Sequence, residues 1–293
     1  MNSNKKAYIY ALSAILLWST VAVSFKISLR YVDFLQLLFY ASCISLIIHF
    51  TLSVLSKKVH ALFSITKKEL FYSAFVGFLN PYLYYVVLLK AYSLLPAQLA
   101  QPLNYLWPVM LVLLSAPLLG QKLRIQSIFA VVLGFIGVYV ISTKGAIFNF
   151  KIEQPLGVIL ASGSSIIWAL SWILNQKDKR SEDIKLFWSF VFGLFYTFVT
   201  LVLFSGFTIP ETEGILAIVY VGFFETGITF FLWLRALQLT DRNDRISNLV
   251  FLSPVMALVF IRLVLHESIY YTTIIGLFLI IISIFVNRKG MKQ

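Results

Sequence analysis

The chain has 293 residues, of which 60% are hydrophobic and 12% charged, with a mean hydropathy of +0.88. A soluble domain carries about 25% charged residues and about half apolar ones, so this composition excludes a water-soluble globule and any large soluble domain on either side of a bilayer. The net charge of +12 and the pI of 9.7 fit basic loops of a membrane protein, not a nucleic-acid-binding surface.

A transmembrane helix needs ~20 mostly apolar residues. In chain order the apolar runs predict ten spans, at 7–29, 33–55, 69–92, 97–119, 125–143, 155–176, 184–205, 212–236, 245–265 and 269–287. Their length, and the lack of apolar–polar alternation, favour helices over barrel strands. The first run follows Lys5 and Lys6 but is too long for a signal core, and no A-x-A site follows it. With the N-terminus inside, inner loops hold 18 of the 24 Lys and Arg residues, including Lys57, Lys58, Lys122, Arg124, Arg180, Arg242 and Arg245. The outer set is Lys26, Arg30, Lys90, Lys144, Lys151 and Arg262. This bias predicts a multi-pass protein of the cell inner membrane with both termini cytoplasmic. The one cysteine, Cys43, excludes an intrachain disulfide and a multi-thiolate metal site. No cofactor or metal is expected.

The chain repeats itself. Leu106-Trp107-Pro108-Val109-Met110 in span 4 matches Leu252-Ser253-Pro254-Val255-Met256 in span 9 at four of five positions. Upstream, Lys90-Ala91-Tyr92-Ser93-Leu94 corresponds to Arg235-Ala236-Leu237-Gln238-Leu239; downstream, Gly120-Gln121 falls opposite His266-Glu267; and Trp18 corresponds to Trp168. The offset is five spans. An odd number places the second half upside down relative to the first, a common design of secondary transporters. The expected fold is therefore an all-α integral membrane protein, with ten transmembrane helices in two inverted five-helix repeats, 1–148 and 149–293.

Small and polar residues at helical spacing mark faces that pack on protein or line a cavity. They run along span 1 (Ala7, Ala11, Ala14, Trp18), span 3 (Ser73, Gly77, Asn80, Tyr84), span 4 (Gln101, Asn104, Pro108), span 6 (Ala161, Ser164, Trp168) and span 8 (Gly214, Glu225, Thr229). Pro81, Pro102, Pro108, Pro117 and Pro254 fall inside predicted spans, where each removes a backbone donor and can kink its helix. Trp18 and Trp168 lie about twelve residues into their spans, ~15–18 Å from the span start at 1.5 Å per residue. Interfacial tryptophans sit at span ends, so these two suit the walls of a cavity for flat or cationic solutes, with core packing as the alternative. Trp107, Tyr105 and Tyr84 are further candidates of this kind. Glu225 is the only acidic residue deep in a span, and Asn80 aligns with it in the first half. An intramembrane carboxylate marks a functional site by default; this one can hold a substrate amine, bind a coupling proton or hydrogen-bond a neighbouring helix.

Ten spans in two inverted halves, the Pro-Val-Met repeat and the pairs Gly120-Gln121 and His266-Glu267 resemble the drug/metabolite transporter superfamily, of the EamA type, over nearly the whole chain. More narrowly, Leu17-Trp18-Ser19-Thr20, Asn104-Tyr105-Leu106-Trp107-Pro108 and Gly120-Gln121-Lys122 resemble its aromatic amino acid exporter branch. Glu225-Thr226-Gly227 and Asp241-Arg242-Asn243-Asp244-Arg245 are similar to the wider EamA pattern instead. The resemblance implies a central cavity between spans 1, 3, 4, 6, 8 and 9, holding substrate against Trp18, Asn104, Tyr105, Trp107 and Trp168.

The function expected is export of small metabolites, such as aromatic amino acids or amphipathic compounds, by alternating access around a midplane cavity. The partners are a small-molecule substrate, the lipid bilayer and, as a candidate, a coupling proton, with no nucleic acid. A carrier of phosphorylated sugars or nucleotide sugars is the alternative; it calls for cationic side chains deep in the cavity, whereas Lys26, Lys90, Arg235 and Arg262 lie near span ends. A lipid-modifying membrane enzyme needs paired Asp or a His-Glu-x-x-His cluster. His49, His60 and His266 are scattered and lack that motif, so no enzymatic activity is expected.

Overall fold

The computed structural model describes residues 3–56, 59–120, 125–144, 152–239 and 249–291. The Gln121-Lys122 pair, the basic residues Lys57, Lys58, Arg124 and Lys151, and the Asp241–Arg245 string lie outside the described residues. Among the described residues every regular element is helical. Seven helical stretches are long and apolar enough to cross a membrane: Lys5–Ser28, Phe34–Leu55, Lys67–Leu94, Ala97–Leu119, Pro155–Lys177, Glu182–Phe204 and Thr212–Trp233. Three apolar helices are shorter, Ile128–Ser142, Leu252–Val264 and Tyr271–Val286.

Local chemistry sets several helix starts. Helix α1 (Ser3–Ser28) leads to α2 (Phe34–Leu55), whose first turn is closed by Asp33. The Asp33 carboxylate accepts from the N–H groups of Leu35 (2.7 Å) and Gln36 (3.1 Å), and the Gln36 side chain accepts from the Asp33 N–H. The same reciprocal box, Thr66 with Glu69, starts α4 (Lys67–Gly77) after the short α3 (Val59–Phe63). Both satisfy amide donors that a helix start leaves without intrahelical partners.

Three of the long stretches are interrupted. The first passes from α4 through a π-helix (Phe78–Leu83) into α5 (Tyr84–Leu94). Inside that π-helix Asn80 is extended, at φ −150° and ψ 120°, and the Asn80–Pro81 peptide is cis. The second is two helices, α6 (Ala97–Asn104) and α7 (Trp107–Leu119). Pro108 has no N–H to bond the carbonyl one turn back, and it occupies the first turn of α7, where no donor is needed. After α8 (Ile125–Ser142), α9 (Pro155–Lys177) and α10 (Glu182–Phe204), the third interrupted stretch runs α11 (Thr212–Tyr220), a second π-helix (Val221–Ile228) and α12 (Thr229–Leu239). The chain continues in α13 (Leu252–Val264) and α14 (Tyr271–Met291). Pro254 is the third residue of α13. The two repeated prolines thus open helices instead of kinking continuous ones. The start expected for span 9, residue 245, lies outside the described residues; Leu249 is helical, and a turn at Val250 and Phe251 precedes α13.

The paired positions Gly120 and His266 share a left-handed backbone, with φ of 68° and 57°. Gly120 follows directly on α7, and His266 follows Leu265, the residue that caps α13; a left-handed residue at such a place ends the helical run.

The chain forms two compact units, and each draws on both halves of the sequence. The first unit comprises Met1–Tyr82 and Arg180–Leu265. Within it α1 packs against α11, the second π-helix, α12 and α13, while α2 packs against α10, α11 and the second π-helix. The second unit comprises Leu83–Lys179 and His266–Gln293. There α9 packs against α5, α6 and α7, and α8 lies along α14. The α8–α14 contact is a backbone approach: a Cβ on Gly276 would stand 2.6 Å from the Gly137 carbonyl oxygen and 2.5 Å from Ile141 Cγ1. Small residues at such crossings let membrane helices gain close van der Waals contact, which replaces a hydrophobic driving force that lipid does not supply. The α6 start is held by Glu267, whose carboxylate accepts from the N–H groups of Ala97 (2.9 Å) and Gln98 (3.1 Å). The Gln98 side chain answers by donating to Ser268 O (2.7 Å) and accepting from Tyr270 N (2.9 Å).

Substituting Gly276→Val should force α8 and α14 apart and cost about 1–3 kcal/mol, as overpacking does. A lower unfolding temperature of the solubilised protein is the readout. Gly163→Ala, where an added Cβ meets nothing within 4 Å, should leave that temperature unchanged.

Candidate functional site

The predicted site residues fall in both units. Tyr84, Asn104, Tyr105, Trp107 and Trp168 belong to the second; Trp18, Asn80 and Glu225 belong to the first.

In the second unit an aromatic cluster is built on α9. Its centre is Trp168, half-buried, with ring centroids 4.9 Å from Tyr84, 6.5 Å from Trp107 and 6.3 Å from Trp172. Trp172 is one turn on from Trp168, so the two indoles share a helix face and lie nearly parallel, at 22°. Tyr84 is the first residue of α5 and Trp107 the first of α7. The interruptions of the two stretches thereby bring both rings to α9. Polar groups border the cluster. The Asn104 amide Nδ2 donates to Ser164 Oγ (2.8 Å), Ser164 donates to Ala161 O (2.6 Å), and the Tyr84 hydroxyl lies 3.4 Å from Asn104 Oδ1. Tyr105, buried, is the residue that ends α6. Offset and edge-to-face rings with a few directed polar groups suit a flat solute that also carries hydrogen-bonding groups.

In the first unit Trp18 on α1 meets two rings of α12, Trp233 at 5.5 Å and Phe230 at 5.8 Å. The Thr20 and Tyr220 hydroxyls pair at 2.5 Å between α1 and α11. Glu225 is buried, 8% exposed, within the second π-helix. Asn80, its counterpart in the repeat, is half-buried within the first π-helix. Such π segments recur at functional sites because they rotate side chains off the regular helical face.

The second π-helix is tied to α2. The Ser45 hydroxyl lies 2.8 Å from Ala41 O on its own helix and 2.9 Å from Gly222 O, and it pairs with the Thr226 hydroxyl. Its single proton serves one carbonyl at a time. His49 Nε2 stands 3.0 Å from Thr226 O. A carbonyl only accepts, so Nε2 carries the proton and the imidazole donates. Gly222 permits the approach: a Cβ there would stand 2.7 Å from Ala41 O.

Sequence reasoning missed Trp172, Trp233, Ser45 and His49. The signal for Trp172 was its i+4 spacing from Trp168. Trp233, near the end of predicted span 8, was not singled out, and His49 was weighed only as a metal ligand. Among the described residues no group of three or more His, Cys, Asp and Glu is placed to hold a metal ion.

The sequence matches the EamA-like transporter family over residues 5–143 and 155–288. It is 31% identical to the uncharacterized transporter YvbV of Bacillus subtilis over 73% of this chain and 71% of that protein. An uncharacterized transporter of Clostridium kluyveri is 26% identical over 99% of this chain and 95% of its own. The aromatic amino acid exporter YddG of Ancylobacter novellus is 28% identical over 51% of this chain and 53% of its own. A crystal structure with 20% identity superimposes at a TM-score of 0.69, covering 98% of this chain and 99% of the other, which shows a shared fold.

Removing the Ser45 hydroxyl should loosen the second π-helix from α2. Ser45→Ala is expected to cost about 1 kcal/mol, the net worth of a hydrogen bond, read as a fall in thermal stability.

Proposed function

Because this chain belongs to the EamA-like transporter family, a family of multi-pass membrane transporters, we propose that it exports small amphipathic metabolites, aromatic amino acids among them, by alternating access. The observation that carries this reading is the cluster of Trp168, Trp172, Trp107 and Tyr84 bordered by the Asn104 amide. Aromatic faces attract a flat side chain and the amide serves its polar end. The distant relative named an aromatic amino acid exporter supports the same class of substrate. Trp18, Asn80, Tyr105 and Glu225 complete the proposed set of substrate-facing residues.

The proposed architecture counts the three shorter apolar helices as spans beside the seven longer ones, giving two inverted five-span repeats, 1–148 and 149–293. The matched left-handed residues Gly120 and His266 and the π-helices around Asn80 and Glu225 support it. The charge bias of the loops supports a place in the cell inner membrane with both termini cytoplasmic.

Counterflow of labelled amino acids in proteoliposomes tests the substrate. Trp168→Ala should weaken binding of tryptophan and phenylalanine about 2- to 12-fold, the equivalent of ~0.5–1.5 kcal/mol per aromatic pair, while the variant still folds and inserts. Unchanged transport of every amino acid in the panel would overturn the assignment of this cluster.

Glu225 is proposed to bind either a coupling proton or the substrate amine. Glu225→Gln keeps the shape of the protonated acid. If the proton is bound there, accumulation driven by a pH gradient should be abolished while exchange survives; if the amine is bound there, exchange should fail as well. Full activity in both assays would leave Glu225 as a packing residue.

A further inference from the structure

We propose that Ser164 sets the Asn104 amide so that the aromatic cluster of the second unit reads the ammonium end of its ligand, which makes aromatic amines without a carboxylate ligands of the same site. Resting on the assignment of this cluster as the substrate site, it narrows the class of substrate to flat molecules that carry a protonated amine. Ser164 acts here as a positioning residue, through Asn104.

The orientation of the amide follows from one proton. Ser164 is fully buried, and its hydroxyl stands 2.6 Å from Ala161 O on its own helix. A carbonyl only accepts, so the Ser164 proton lies on that contact. Toward Asn104 the hydroxyl oxygen is then an acceptor, and the atom 2.8 Å from it is the amide nitrogen Nδ2. Asn104 Oδ1 is thereby turned to the side of Tyr84, whose hydroxyl donates to it at 3.4 Å. The Tyr84 ring packs on Trp168 with centroids 4.9 Å apart, so the oxygen is the end of the amide nearer the rings. An amide oxygen has two lone pairs, and a second donor can join the tyrosine hydroxyl there.

The end of α6 has the same polarity. Asn104 is the last residue of that helix. Of its last four carbonyls, those of Gln101 and Pro102 take the Tyr105 N–H and that of Leu103 takes the Leu106 N–H. The regular helical donor to the Asn104 carbonyl would be residue 108, a proline without an N–H. The C-terminal end of a helix carries partial negative charge, which favours cations within its last turn. The indole faces of Trp168 and Trp107, both half-buried, attract cations as well. Amide oxygen, helix end and ring faces therefore all favour a positive group, and all disfavour a carboxylate.

Three indoles that share a ring system and differ in charge test this: tryptophan, tryptamine with the ammonium alone, and indole-3-propionate with the carboxylate alone. Binding to the full chain in nanodiscs would be measured by titration calorimetry at about pH 7, where the amine is protonated and the acid ionised. Tryptamine should bind at least as tightly as tryptophan, and indole-3-propionate about tenfold more weakly than tryptamine, as befits a charge-assisted hydrogen bond. Ser164→Ala lets the amide turn its N–H groups to the ligand, so tryptamine should weaken, indole-3-propionate should gain and the ratio should fall toward unity. A loss of packing alone would weaken both and keep the ratio. Asn104→Leu, which removes the acceptor at similar size, should weaken tryptamine about tenfold and leave indole-3-propionate unchanged. Tryptamine failing where tryptophan binds, indole-3-propionate binding as tightly as tryptamine, or the native ratio persisting in either variant would overturn the proposal and leave the cluster as a site. Binding of none of the three indoles would overturn the cluster assignment and the proposal together.

Discussion

Backbone hydrogen bonding in an environment without water is the constraint on which the rest of this structure depends. An N–H or C=O left open in hydrocarbon costs several kcal/mol, so an unbroken helix is the default for any chain that crosses a membrane. This protein departs from the default at the two π-helices and at the α6–α7 junction, and partners accompany the departures. The Gly222 and Thr226 carbonyls of the second π-helix lie beside Ser45 and His49 of α2. The amides that open α6 are taken by the Glu267 carboxylate. Pro108, which has no amide to satisfy, sits where α7 begins. The functional candidates sit at or beside these points: Asn80 and Glu225 within the π-helices, Tyr84, Asn104, Tyr105 and Trp107 at helix ends.

Much of the fold could be read from the chain because hydrocarbon imposes a length and a composition on whatever crosses it. The apolar runs around α2, α9 and α10 correspond to helices with ends within two residues of those expected. The interruptions were legible only in part. Pro81 marked a kink inside Phe78–Leu83, whereas Val221–Ile228 holds no proline, and a π-helix leaves no periodic trace in a segment apolar on most sides. Proline signalled the α6–α7 break only as a kink, because its effect depends on whether the chain before it stays helical. The pairing of His266 with Gly120 came from alignment alone; that both are left-handed is a backbone property no side chain announced.

The site was legible to the extent that its residues were out of place. Trp168 is too deep for an interfacial tryptophan, and the structure surrounds it with other rings. Trp18 is out of place in the same way and meets Trp233 and Phe230. Glu225 stood out as an acid far from either span end and is buried. The residues that support them did not stand out. Serine is ordinary in a membrane helix, and Ser45 gains its role from what lies opposite it across the fold. His49 was equally inconspicuous, since a lone histidine without a motif carries no metal signal, yet its imidazole joins α2 to the turn that holds Glu225.

The interleaving of the two units governs how the protein is made. Each unit takes segments from both halves of the chain, so neither is complete when the ribosome has delivered only the first. The glycine face of α8 illustrates the delay, because Gly137 must wait for Gly276, some 140 residues further along. At translation rates of about 5–20 residues per second that interval is roughly 7–28 s. During it the Gly137 face of α8 stands without the α14 backbone that it meets in the finished fold.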